Sequence, residues 1–80
     1  MKAFPNPTHD LVNLTFDQLE RGDVRIIVSN LHGQRLLEQE FWVESGSSSL
    51  QLDVSSWPSG MYLLRANQKQ KQEILRLVIE

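Results

Sequence analysis

Apolar and polar residues alternate with a period of two along most of the chain, and no long segment holds a helical period. Val12, Leu14 and Phe16 alternate with Asn13 and Thr15, and Val24, Ile26 and Val28 with Arg25, Ile27 and Ser29. Leu50, Leu52 and Val54 alternate with Gln51 and Asp53. Tyr62, Leu64 and Ala66 then alternate with Leu63 and Arg65, and Leu75, Leu77 and Ile79 with Arg76 and Val78. Each run predicts a strand whose first-named residues share one face. From Gln34 to Val43 the chain is strand-like but changes phase, because Leu36, Leu37, Phe41, Trp42 and Val43 cannot lie on one face. That predicts a bulge or twist near Glu38 to Glu40. Helix-forming residues gather at Leu31–Glu40 and Gln68–Leu77, so a helix is the alternative at those two places.

The breaks carry turn chemistry. "NLHGQ", Asn30 to Gln34, reads as a type I turn with Gly33 in the left-handed position and a G1 bulge, closing a hairpin of 24–30 with 34–41. "DQLERGD" is the longest apolar-poor break; "ESGSS" and "NQKQKQ" are polar connectors, the second a hairpin tip. In "VSSWPSGMYLLRA", Ser55 and Ser56 cap a single helical turn that Pro58 stops, and Pro58-Ser59-Gly60 turns with a positive φ at Gly60. Near the start, Pro5 and Pro7 lack backbone donors and fix φ, which predicts a stiff extended lead-in to a strand beginning at Leu11. Six or seven short strands at this spacing favour an antiparallel sandwich or barrel.

Composition narrows the function. Eighty residues with 40% apolar and 22% charged side chains make one small domain. A net charge of −2 with mixed signs, no basic patch and no aromatic platform on basic ground argue against nucleic acid as the partner. The lack of cysteine rules out disulfides and thiolate chemistry. No apolar run approaches the ~18–20 residues of a membrane-crossing helix. The first residues are not an apolar stretch with a cleavage site, so any export signal is expected in a longer parent chain, with Met1 then an added start.

Candidate chemistry is sparse. His9 and His32 lie in predicted loops without a ligand-spaced partner, so they read as solvated loop histidines and no metal is expected. Ser47, Ser48 and Ser49 lie in a Gly-Ser connector, and no phosphate-binding glycine loop occurs. No enzyme and no cofactor are read from these residues. "NLT" at Asn13 fits a glycosylation acceptor, but inside a strand it reads as a chance match. Trp42, Trp57 and Tyr62 offer either a sugar-stacking platform or core packing.

Four blocks in order, "FPNPTHDLVNLTF", "VRIIVSNLHGQRLLEQEF", "LQLDVSSWPSGMYLLRA" and "EILRLVI", resemble the C-terminal sorting domain of the bacterial type IX secretion system. The resemblance covers nearly the whole chain. Phe4, Pro5, Asn6, Pro7 and Thr8 match the opening motif, Asn30 and Gly33 the hairpin, and Pro58, Ser59, Gly60 and Tyr62 the later turn. Arg76, Leu77 and Val78 match an ending used for recognition, and with Ile79 and Glu80 they form the expected translocon-recognition segment. Two departures stand out: the family often ends on Lys or Arg, and His9-Asp10 replaces the more usual small or turn residues.

The resemblance implies an immunoglobulin-like sandwich of about seven strands and a non-catalytic C-terminal secretion signal. Residues 1–80 are then one sorting domain excised from a longer secreted protein. The implied partners are the outer-membrane translocon and a sortase-like peptidase. The implied route runs through the periplasm to the outer-membrane surface or the medium. Recognition by β-addition at the last strand, or by outward Ile27, Ile74 and Val78, is expected. Deleting Arg76–Glu80 is expected to stop export while most of the domain folds. An accessory immunoglobulin-like or fibronectin-like module that binds carbohydrate or spaces domains is the alternative, and it needs Trp42 or Trp57 exposed.

Overall fold

The computed structural model describes residues 1–44 and 46–80, without the side chains of Asp17, Gln18, Leu19, Ser47 and Ser48. The strands are β1 (Lys2–Phe4), β2 (Leu11–Leu19), β3 (Gly22–Asn30), β4 (Arg35–Val43), β5 (Gly46–Asp53), β6 (Gly60–Gln68) and β7 (Lys71–Ile79). They form a three-stranded sheet in the order β1-β2-β5 and a four-stranded sheet in the order β4-β3-β6-β7. Every paired strand is antiparallel. This is the immunoglobulin-like sandwich expected from the sequence.

Period two dictates which face is buried. Val12, Leu14 and Phe16 of β2 and Leu52 of β5 meet Val24, Ile26, Val28, Leu64, Ala66, Leu77 and Ile79 across the inter-sheet space. Leu14, Ile26, Leu64 and Leu77 are the largest side chains wholly removed from water. Each contributes roughly 1.5–3 kcal/mol by burial. Both segments with a helical alternative are strands, because only a strand closes the sheet over this core.

Four local expectations change. Glu38, Gln39 and Glu40 pair regularly with Ile27, Ile26 and Arg25; the irregularity lies where Val28 pairs Leu37 but Ser29 pairs Arg35, leaving Leu36 extra. The bulge belongs beside the turn, where it turns Leu37, Phe41 and Val43 inward and Leu36 and Trp42 outward. The "DQLERGD" break is mostly strand, since β2 runs to Leu19 and β3 starts at Gly22. "ESGSS" also enters β5 at Gly46, with Ser45 outside the described residues. Polar residues suit these ends because only their backbone is needed for pairing. Ile27 faces outward yet is 4% exposed, so it is no free contact. Its cross-strand neighbours Glu38 and Arg65 flank it, and long stems of this kind cover apolar surface.

The turns follow the sequence more closely. Asn30 N–H donates to Gln34 O at 2.9 Å and Gly33 N–H to Asn30 O at 3.1 Å. Asn30 Oδ1 accepts from His32 and Gln34 N–H, and Gly33 takes φ +84, which costs a glycine little. The β6–β7 tip narrows to Lys69 and Gln70, with Gln68 already paired to Lys71.

Candidate functional site

The register gathers the motif residues at one pole of the sandwich. Asn30 pairs Tyr62 and Tyr62 pairs Leu77, which puts the β3–β4 turn beside the start of β6 and the end of β7. The segments 5–10 and 54–60 meet there too, where Val54 N–H donates to Asp10 O at 2.8 Å. So His9-Asp10, a departure from the usual pattern, supplies its backbone to the same pole.

The opening motif is the centre of the site. It is not a single extended lead-in. Lys2–Phe4 pair with β2 at the edge of one sheet; the chain then bends through Pro5–Pro7 and reaches the edge of the other sheet at Thr8, which forms an isolated parallel bridge with Ile79. A chain leaving one edge for the other must turn, and prolines suit it because the turn gives their missing N–H groups no ladder partner.

Asn6 then does what a strand residue would do, with its side chain. Its Nδ2 donates to Arg76 O at 2.9 Å, and its Oδ1 accepts from Val78 N–H at 3.0 Å. Thr8 continues the ladder, its N–H donating to Val78 O at 2.9 Å and its carbonyl accepting from Glu80 N–H at 2.8 Å. The Thr8 hydroxyl is buried and donates to Leu11 O at 3.0 Å, fixing the entry to β2. Four hydrogen bonds thus clamp the backbone of 76–80. An aspartate could not replace Asn6, since it would set a carboxylate against the Arg76 carbonyl.

The segment expected to be recognised divides by parity. Leu77 and Ile79 are core residues, while Arg76 and Glu80 are exposed and Val78 is half-buried on the outer face. The free edge that β-addition would use is occupied by Asn6 and Thr8 at this end.

The later turn is a brace. Trp57 N–H donates to Val54 O at 3.0 Å, closing the single turn expected there. Its cap is Asp53 rather than Ser55 or Ser56, because Asp53 Oδ1 accepts from both Ser55 N–H at 3.0 Å and Ser55 Oγ–H at 2.7 Å. The Ser55 hydroxyl and then its backbone N–H hold the Asp53 carboxyl below the ordinary aspartate value. Tyr62, buried, donates its hydroxyl to Pro58 O at 2.5 Å. Its ring packs on Trp57 at 5.5 Å. Gly60 takes φ +152, and Ser59 is exposed beside it. Pro-Ser-Gly-x-Tyr therefore ties its own loop to the core.

The aromatic platform dissolves. Trp57 and Tyr62 belong to the core at the motif pole, whereas Trp42 pairs with Asp23 near the opposite pole. Trp42 is 57% exposed, donates to Glu44 and lies under Arg21. Asn13 is half-buried, its amide nitrogen donating to Phe4 O. His9 and His32 are exposed in separate turns, Ser49 is exposed on β5, and the side chains of Ser47 and Ser48 lie outside the described residues.

One polar residue of consequence was not singled out in the sequence. Gln68 is 5% exposed and lies at the far pole, where its Nε2 donates to Glu20 O and its Oε1 accepts from Glu20 N–H at 3.0 Å. The signal for it was a polar residue continuing the inward phase of Tyr62, Leu64 and Ala66, since a buried amide must find partners.

A family model described as a secretion system C-terminal sorting domain matches residues 2–80. No curated protein matches the chain.

Proposed function

The chain belongs to the family of secretion-system C-terminal sorting domains, signals for type IX secretion, and from that premise we propose how it is read. It is the terminal piece of a longer cargo protein. An outer-membrane translocon reads the folded domain after the cargo has entered the periplasm, and delivers the cargo to the surface or the medium. A sortase-like peptidase then cuts ahead of β1, leaving the clamp within the released piece.

The observation that carries this reading is the clamp of Asn6 and Thr8 on Arg76–Glu80. It joins the motif nearest the cargo to the last strand, so the recognition segment has one geometry only when the domain is folded. Outward Arg76, Val78 and Glu80 are then presented together. Leu77 and Ile79 support them from the core and do not touch the partner.

That division changes the test. Deleting Arg76–Glu80 would remove two buried side chains, each worth roughly 1.5–3 kcal/mol, from a domain whose total is of order 4–12 kcal/mol. Its loss of export would therefore not separate recognition from lost stability. The better experiment fuses the whole chain to a fluorescent protein with a periplasmic signal, in hosts with and without the translocon. Fluorescence outside only the first host is expected, and Asn6→Asp is expected to lower it several-fold with the fold intact by circular dichroism. Full retention of the unaltered fusion in the periplasm of both hosts would overturn the reading.

A further inference from the structure

The outer face of the four-stranded sheet has two unlike halves. On β3 and β4 both arginines are paired: Arg25 with Glu38, also reaching Glu40 at 4.0 Å, and Arg35 with Glu38 at 3.2 Å. On β6 and β7 the outward positions are Met61, Leu63, Arg65 and Asn67, facing Val78, Arg76, Ile74 and Gln72. None of these eight positions carries a carboxylate, Glu80 lying past the end of β7, and among the described residues neither Arg65 nor Arg76 has an ion-pair partner. Ile74 is 61% exposed and Met61 39%.

We propose that the outward face of β6 and β7 binds an acidic polypeptide segment of the export machinery, its carboxylates on Arg65 and Arg76 and its apolar side chains on Leu63, Ile74 and Met61. The inference rests on the sorting reading above and adds β6 to the surface that is read. Guanidinium groups favour carboxylates through paired N–H donors, and an unpaired arginine on an apolar surface is already partly desolvated for such a bond. The pattern selects polypeptide over lipid. Leu63 lies opposite Arg76 and Ile74 opposite Arg65, so cations and apolar groups interleave. A membrane boundary needs apolar groups gathered on one side and cations on the other. A polypeptide can alternate its side chains to match.

The test places a photo-crosslinking residue at Ile74, or at Leu36 on the paired half, in the exported fusion. Ile74 is expected to yield a protein adduct only in the host with the translocon, and Leu36 far less. Arg65→Glu with Arg76→Glu is expected to remove that adduct and cut export on the order of tenfold. The milder Arg65→Gln with Arg76→Gln keeps the test valid if charge reversal impairs folding, as judged by thermal melting. Equal export by the folded double variants, equal adducts at Ile74 and Leu36, or a lipid adduct at Ile74 would overturn the proposal while export of the unaltered fusion upholds the sorting role. Failure of the unaltered fusion to leave either host would overturn the sorting role and this proposal with it.

Discussion

Two carboxamides close the two poles of this sandwich, and they differ in burial and in the backbone they join. Gln68, at the β6–β7 turn, and Asn6, beside the end of β7, each donate to one backbone carbonyl and accept from one backbone N–H. Gln68 is buried and reads both backbone groups of Glu20, whereas Asn6 is exposed and spans Arg76 and Val78. The same bonds therefore serve different ends. Where water is excluded the bonds stabilise, because the alternative is an unsatisfied polar group. Where water competes they specify position at little net gain.

The largest effect is expected at the buried pole. Gln68→Leu leaves the Glu20 N–H and carbonyl without partners and should cost about 2–3 kcal/mol. In a domain of this size that lowers the melting temperature by about 10–20 °C. Asn6→Ala should cost under about 1 kcal/mol, since water replaces both bonds, yet hydrogen exchange at the Val78 amide should rise. Equal melting temperatures for the two variants would break the distinction drawn from burial.

Asp53 sharpens the comparison at its weak end, as an exposed side chain holding a purely local turn. Its carboxyl is held below the ordinary aspartate value by the Ser55 hydroxyl and N–H. Its contribution is therefore complete above the unfolded-state value and is lost as the pH falls through the lowered one. A side-chain NMR titration should show a midpoint below that of an unfolded control, and Asp53→Asn should leave stability at neutral pH nearly unchanged. A midpoint at or above the control would remove Asp53 from the set.

The legible part of the site is the part built from neighbours. The Asn30–Gly33 turn and the Pro58–Tyr62 block were readable because their bonds join residues four or fewer apart. The inward phase of β2, β3, β5, β6 and β7 was readable for the same reason, whereas β1 was hidden in what read as an extended lead-in. β4 resisted because its bulge residue, Leu36, lies beside the turn and shifts the phase before the regular stretch begins. The clamp was half legible: prolines on both sides of Asn6 marked it as unusual, but gave no hint of its partners, which lie 70 and 72 positions away.

Local sequence was enough for five strands, the Asn30–Gly33 and Pro58–Tyr62 turns, and the side each of those five strands buries. Those follow from backbone preferences and a period of two, both properties of adjacent residues. It took the tertiary fold to bring Asn6 to Arg76 and Val78, Gln68 to Glu20, and Arg65 and Arg76 onto one face among paired positions that carry no carboxylate. Such meetings depend on sheet order and register, which the core fixes collectively and no local stretch records.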